Sequence, residues 1–384
     1  MQFEFATATR IIFGPGTAGQ LPALAAQMGR HTFILTGSDP ARLSPIIEAI
    51  RAQVLEGETY PIMGEPDVET IARAVAKARA MDCDVVVGIG GGSVLDTAKA
   101  VAAMLHNPGE IMDYLEVVGA GRAIANVPIP CIAVPTTAGT GAEVTRNAVI
   151  AVPDRKVKVS MRSPLMLPRL ALVDPLLTVS MPPDVTASTG LDALTQLIEA
   201  YTSKKANPLT DGICTEGIRH AARSLRTAYE CPDDLPARED MALASLFSGL
   251  ALANAALGAV HGFAGPLGGM IGAPHGIICG RLLPFVMAAN VQTLQTVHGA
   301  SEALARYDHL AAILTADSSA RADDAVRWID DLCEHLHIPS LTGFGLTTDL
   351  IPQAVSQAQE ASSMKGNPVA LSERQLTQIL QESM

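Results

Sequence analysis

Two imidazoles and one carboxylate stand out by their surroundings. His261 and His275, in VHGFAG and APHG, lie in a stretch from Met241 to Gly280 that contains no Asp, Glu, Lys or Arg. A histidine in a charge-free interior needs a hydrogen-bond partner or a ligand to hold. Asp192 sits among Leu191, Leu194 and Leu197 in TGLDALTQLIEAY, and a carboxylate beside an apolar stripe needs a cation, a donor or a metal. Gln196, four residues on, shares its helix face, while Glu199 is expected on a neighbouring one. Taken singly, the Asp reads as a cap or ion pair and each His as a satisfied core residue. Together, one carboxylate and two imidazoles suit a divalent transition metal, with open positions for a substrate oxygen. The remaining histidines, His31, His106, His220, His298, His309, His335 and His337, stand in charged or helical surface contexts and carry no comparable signal.

A second constellation has the chemistry of phosphate binding. The run DVVVGIGGGSVLDTAKA places Gly90, Gly91 and Gly92 between a strand and a helix that begins near Ser93. Successive glycines let a ligand reach the peptide plane, and the unpaired amides and positive dipole end of the helix favour a pyrophosphate. The ordinary alternative is a glycine-rich turn, but the placement after a strand and before a helix favours phosphate. A further small-residue loop, PTTAGTGAEVT, follows the strand CIAV. The hydroxyls of Thr136, Thr137 and Thr140 either donate to phosphate or ribose oxygens or make only local turn and capping bonds. Two such loops in one domain favour a dinucleotide over a mononucleotide.

These residues need elements to position them. The runs RIIFG, HTFILTG, DVVVGI, CIAV and ALVDP alternate with amphipathic stretches such as AGQLPALAAQM and ETIARAVAKARAM, a βαβ rhythm. Residues 33–35, 85–87 and 131–134 are nearly continuous in apolar side chains, as strands buried on both faces of a parallel sheet are. After ALVDP the pattern predicts long helices over 187–203, 211–229 and 237–257, with Pro182 and Pro183 at the change. The fold class is α/β: an open parallel dinucleotide-binding domain over residues 1–178 and an all-helical domain over 179–384.

Composition narrows the function classes. With 384 residues, 48% hydrophobic and 17% charged, the chain has enough apolar material for two cores and is not disordered. A net charge of -12 supplies no general attraction to nucleic acid or to an anionic membrane, and aromatics at 4% do not suit base stacking. The charge-free stretch is broken by prolines, histidines and glycines, so it fits a buried helical core better than a membrane span of roughly 20 residues. No secretory signal is visible at the amino terminus, and the six cysteines show no paired spacing. A cytoplasmic protein with reduced, mostly buried thiols is expected.

In chain order, FGPGTAGQL, GGGSVLDTAKA, PTTAGTGAEVT, LVDPLLTVSMPP, TGLDAL and APHG followed by RLLPFVM resemble the iron-containing alcohol dehydrogenase family, within the wider dehydroquinate synthase-like fold. The resemblance spans nearly the whole chain. It implies a nicotinamide cofactor, NAD or NADP, and a substrate held in a cleft between the two domains. It also implies hydride transfer between a small alcohol and its aldehyde or ketone, iron or zinc bound by an Asp and three His, and a homodimer. Asp192 matches the first ligand and His261 and His275 the last two, so these three form the implied catalytic centre.

Three departures from the family pattern carry consequences. The second ligand position holds Gln196, a neutral and usually weaker donor than imidazole, which implies looser binding, a different metal or, at the extreme, an empty site. Gly265 stands where many relatives have the second His of HxxxH, so the proton relay must run by another route. At the end of the second strand Gly37 replaces an Asp that NAD-using relatives often carry, and Ser38 can donate to a 2'-phosphate, while Asp39 keeps NAD open. By the same resemblance Val149 and Lys158 fall near cofactor-contacting positions. A metal-free reductase akin to the maleylacetate reductases, a lyase like dehydroquinate synthase and a catalytically silent binding module are the rivals.

Overall fold

The structure, a computed structural model, describes residues 2–155, 157–297 and 301–384. The surface context expected for His298 lies outside the described residues. Two compact units divide the chain: Ala6–Val179, and Ser180–Met384 together with Met1–Phe5.

The first unit is built on strands β1 (Ile11–Phe13), β2 (His31–Thr36), β3 (Glu56–Pro61), β4 (Val85–Gly90), β5 (Cys131–Pro135), β6 (Asn147–Val152), β7 (Val157–Arg162) and β8 (Leu170–Val173). Six of them form one sheet in the order β1-β8-β5-β4-β2-β3, and every ladder in it is parallel. Helices α1 (Leu21–Met28), α2 (Ser44–Arg51), α3 (Val68–Ala80), α4 (Gly92–His106) and the single turn α5 (Ile111–Tyr114) connect them. Alternate residues of the central strands serve two cores: Phe33, Leu35 and Val86 pack in one, Ile34, Val85, Val87 and Ile89 in the other. That double burial is why these strands read as unbroken apolar runs.

Not every strand has that signature. The edge strand β3, EGETYP, is only half-buried along most of its length, and β6 and β7 form a separate antiparallel hairpin whose β6 residues alternate in burial. Because the main sheet is parallel, the carboxyl ends of β2, β4 and β5 emerge side by side, with Thr36 opposite Ile89 and Gly90 opposite Pro135. The chain runs outward from β2 to β3 and then returns to β4. Such a reversal opens a crevice at the strand ends where ligands of open α/β sheets bind.

The second unit is helical: α6 (Pro183–Thr202), α7 (Pro208–Glu230), α8 (Leu235–Asn254), α9 (Ala259–Ile271), α10 (His275–Thr296), α11 (Ser301–Thr315), α12 (Ala322–His335), α13 (Ile351–Glu360) and α14 (Glu373–Glu382). Helix α6 is central, packing against α7, α8 and α10, and every residue from Gly190 to Thr202 is buried. The charge-free stretch forms most of α8, all of α9 and the start of α10. By length and composition α10 could cross a membrane, yet most of it is buried against other helices of the unit. Ile278, Leu282, Leu283 and Val286 contribute to that packing.

Glycine sets how closely α10 approaches α6. A Cβ at Gly276 would overlap the Ser188 carbonyl, and one at Gly280 would come 2.6 Å from Leu191 Cδ1. The start of α10 therefore rests on the backbone of α6, one turn from Asp192. Gly276→Ala is expected to destabilise the protein by about 1–3 kcal/mol, because the obstacle is backbone that cannot swing away. A shift of the urea midpoint at unchanged slope checks it.

Candidate functional site

Three helices deliver the donors. Asp192 comes from the middle of α6, His261 from the first turn of α9, and His275 opens α10. His261 Nε2 lies 3.3 Å from Asp192 Oδ1, and His275 Nε2 lies 3.7 Å from the same oxygen. The two imidazole rings are 5.5 Å apart at their centroids. A fourth residue joins them: Cys279, four residues along α10 from His275, has its Sγ 3.8 Å from His261 Nε2. Donor atoms of Asp192, His261, His275 and Cys279 all lie within 4.8 Å of one another. No cysteine was expected here, and the signal for it was the spacing of His275 and Cys279, which stacks their side chains on one helix face.

The electrostatics are those of a coupled cluster. Burial alone would raise the Asp192 carboxyl, but His275, His261 and a hydrogen bond from Gln196 reverse this and hold it below its ordinary value. Burial pulls the His261 imidazole down, yet the Cys279 sulfur, Asp192 and Glu199 outweigh it and hold the ring well above its usual range.

Glu199 corrects the expected face assignment. Seven residues from Asp192 is two helical turns, and the pair drifts only ~20° from a common stripe. Its carboxylate is buried and closes the amino terminus of α9, accepting from the Val260 amide at 2.7 Å and the His261 amide at 3.4 Å. It also receives His261 Nδ1 at 2.6 Å. A proton held at Nδ1 leaves Nε2 as the ring's free lone pair, and such a carboxylate–histidine pair is what orients an imidazole toward a metal. Gly258 makes the contact possible, since a Cβ there would sit 2.7 Å from Glu199 Oε1. A buried amide pair completes the frame: Asn367 accepts from the Ala259 amide at 3.1 Å and donates to Asn290 of α10 at 2.7 Å.

These residues fit a divalent cation. Tetrahedral coordination with N and O bonds of about 2.0–2.1 Å requires donor–donor edges of about 3.3–3.4 Å, and the His261–Asp192 distance is 3.3 Å. Gln196 is buried, and its Oε1 has no hydrogen-bond partner, an orphaned acceptor of the kind that marks a site built for something more. Gly265, one turn beyond His261 on α9, has nothing within 4 Å of the place a Cβ would take.

In the α/β unit the glycine and threonine loops meet. Gly90 ends β4 and accepts from the Thr136 amide at 3.0 Å. A Cβ on Gly91 would come 3.3 Å from Thr137 Cγ2, and one on Gly92 2.8 Å from Thr140 Cγ2. Gly91 is the N-cap of α4 and supplies no side-chain cap, and Ser93 follows in the first turn. Thr140 also accepts from the Ala142 amide at 3.3 Å, a local turn bond. Gly37 and Ser38 follow β2 at the same sheet edge, and the Asp39 carboxylate is engaged by the Ala41 amide at 3.1 Å. The Val149 amide donates to Asp96 on α4 at 2.9 Å, which ties the hairpin to that helix. Lys158 is paired with Glu65 at 2.6 Å. Elsewhere His31, His106, His220, His309 and His335 have local partners of their own.

The chain thus pairs a parallel-sheet unit bearing a glycine–threonine edge with a helical unit bearing a convergent donor cluster. The family model for iron-containing alcohol dehydrogenases matches residues 8–175, and that for the carboxyl-terminal part of the same family matches residues 186–384. The chain is 35% identical over 335 residues to a choline dehydrogenase of Bacillus subtilis, covering 86% of this chain and 81% of the relative. Its fold is similar to a solved 1,3-propanediol oxidoreductase, with a TM-score of 0.91 at 30% identity over the full length of both chains. It is also similar to a sulfoacetaldehyde reductase from Bifidobacterium kashiwanohense in complex with NAD+, with a TM-score of 0.87 at 29% identity, covering 99% of this chain and 98% of the other. The chain belongs to the iron-containing alcohol dehydrogenase family. It is an oxidoreductase that interconverts alcohols and carbonyl compounds.

Glu199→Gln keeps the side chain's size but weakens its hold on His261. The affinity for Zn(II), read by competition with a chromophoric chelator, is expected to fall roughly 10–100-fold.

Proposed function

We propose that the protein is an NAD(P)-dependent, metal-assisted dehydrogenase of a small, mainly uncharged alcohol and its aldehyde or ketone. The convergence of Asp192, His261 and His275 from three helices carries this reading. Those three residues would hold iron or zinc, with Gln196 beside them as the family's second ligand position. When bound, the cation supplies Lewis-acid polarisation of the substrate oxygen and the nicotinamide C4 accepts or returns the hydride.

The chain's own residues do the rest. Glu199 holds the His261 proton at Nδ1, which leaves Nε2 as the ring atom that would face a cation. The charge-free stretch that carries His261 and His275 sets no Lys, Arg, Asp or Glu of its own beside the donors, which favours an uncharged substrate. At the other end of the reaction, the amides of Gly91, Gly92 and Ser93 at the start of α4 cradle the cofactor pyrophosphate. Thr136, Thr137 and Thr140 line the same edge, and Val149 and Lys158 flank it from the hairpin. With Gly37 carrying no carboxylate and Asp39 turned to Ala41, Ser38 is free to receive a 2'-phosphate, so NADP is accepted beside NAD. Six free cysteines suit a reducing cytoplasm, and by family analogy the working unit is a homodimer.

Removal of metal by a strong chelator is expected to abolish turnover, and readdition of Fe(II) or Zn(II) to restore it, as read by nicotinamide absorbance. A preparation shown to be metal-free that retains full turnover overturns the reading in favour of a metal-independent reductase. Gly37→Asp places a carboxylate where a 2'-phosphate would sit. The ratio of kcat/KM for NADP to that for NAD is expected to drop by about ten-fold, equal to roughly 1.4 kcal/mol.

A further inference from the structure

We infer that the thiolate of Cys279 is the fourth protein donor of the metal centre, so that the cation would be held by one Asp, two His and one Cys, with a fifth position for the substrate oxygen. The inference rests on the metal-assisted reading above and deepens it. Cys279 is buried, and its sulfur belongs to the group of donor atoms that lie within 4.8 Å of one another. The 3.8 Å from its Sγ to His261 Nε2 is close to the roughly 3.6 Å edge expected when a metal–sulfur bond of about 2.3 Å and a metal–nitrogen bond of about 2.0–2.1 Å meet at a tetrahedral angle. His275 and Cys279 stand one turn apart on α10, so a single rigid helix presents both. The same glycines that seat α10 on α6 bring the pair to Asp192.

Gln196 is the competing fourth donor, and the chemistry favours sulfur. Gln196 hydrogen-bonds the Asp192 carboxylate, which makes it a positioning residue for a ligand. Its remaining oxygen is a neutral donor, whereas a coordinated thiol loses its proton outright and binds as an anion. Thiolate is also a softer ligand than the imidazole it stands in for. The centre should therefore rank Zn(II) above Fe(II) more steeply than an all-nitrogen-and-oxygen set would.

Cobalt substitution tests this without recourse to turnover. The full-length protein, stripped of metal and loaded with Co(II), is expected to show a near-ultraviolet thiolate-to-cobalt charge-transfer band. Cys279→Ser and Cys279→Ala are each expected to lose that band and to bind Zn(II) about 100-fold more weakly, with unchanged far-ultraviolet circular dichroism in the metal-free state. Gln196→Ala is expected to keep the band and to lose less than about ten-fold in affinity. If stoichiometric Co(II) binds without the band, and Gln196→Ala loses the metal while Cys279→Ser does not, Cys279 is no ligand although the site stands. If His261→Ala also leaves binding untouched, the site itself is misassigned and the inference falls with it.

Discussion

A carboxylate buried at the start of a helix holds this centre together. Glu199 is buried, which on its own would cost several kcal/mol, and among the described residues it is paired with no Lys or Arg. Its compensation is the amino terminus of α9, where two otherwise unpartnered amides and the positive end of the helix dipole meet it. The His261 ring nitrogen completes the set. One interaction thus does two things: it ends the unpaired amides of α9 and it aims an imidazole. The residues around it follow from that. Gly258 must be small because the carboxylate lies against its Cα, and Asn367 takes the remaining first-turn amide at Ala259.

Some helix starts in the chain are capped by their own N-cap side chain and others are not. Asp67, Asn207, Asp234 and Ser372 each accept an amide bond at the head of their own helices. The heads of α4, α9 and α10 have Gly91, Gly258 and Pro274 in that position and no side-chain cap. These are also the three helices whose first turns carry the functional residues. At α9 the missing cap is supplied from α6 by Glu199. At α4 the amides point toward the crevice at the ends of β4 and β5, where glycine and threonine leave room for an anion. Heads without a side-chain cap also occur at α1, α2, α6 and α13, so what sets α4 and α9 apart is what their first-turn amides face: Glu199 at α9, and the glycine–threonine edge at α4.

Much of this was legible in the sequence, for reasons that differ between residues. Strands β2, β4 and β5 were clear because burial on both faces leaves an unbroken apolar run, whereas β3, with EGETYP at the sheet edge, and the β6–β7 hairpin have no such run. Asp192, His261 and His275 were visible because a polar group in an apolar or charge-free setting is the exception that needs an explanation. Cys279 was not, since in HGIICG a cysteine behaves as one more small hydrophobe and only its spacing from His275 distinguishes it. Glu199 shares the face of Asp192 because seven residues close two turns to within ~20°, a relation that a one-turn spacing does not reveal. The paired loops illustrate a further limit: that Gly92 lies against Thr140 depends on β4 and β5 being neighbours, which strand order and not local pattern decides.

The glycines of the charge-free stretch have opposite reasons for being glycine. At positions 276 and 280 there is no room: the helix must lie against the backbone and side chains of α6 for His275 to reach Asp192. At position 265 there is nothing but room, in mid-helix, where alanine would fit and would favour the helix by about 1 kcal/mol. Stability alone therefore does not explain Gly265. What glycine does there is leave the position beside the helix open, one turn from His261. Close packing at one end of the stretch places the donors, and at the other end packing is withheld within one turn of His261.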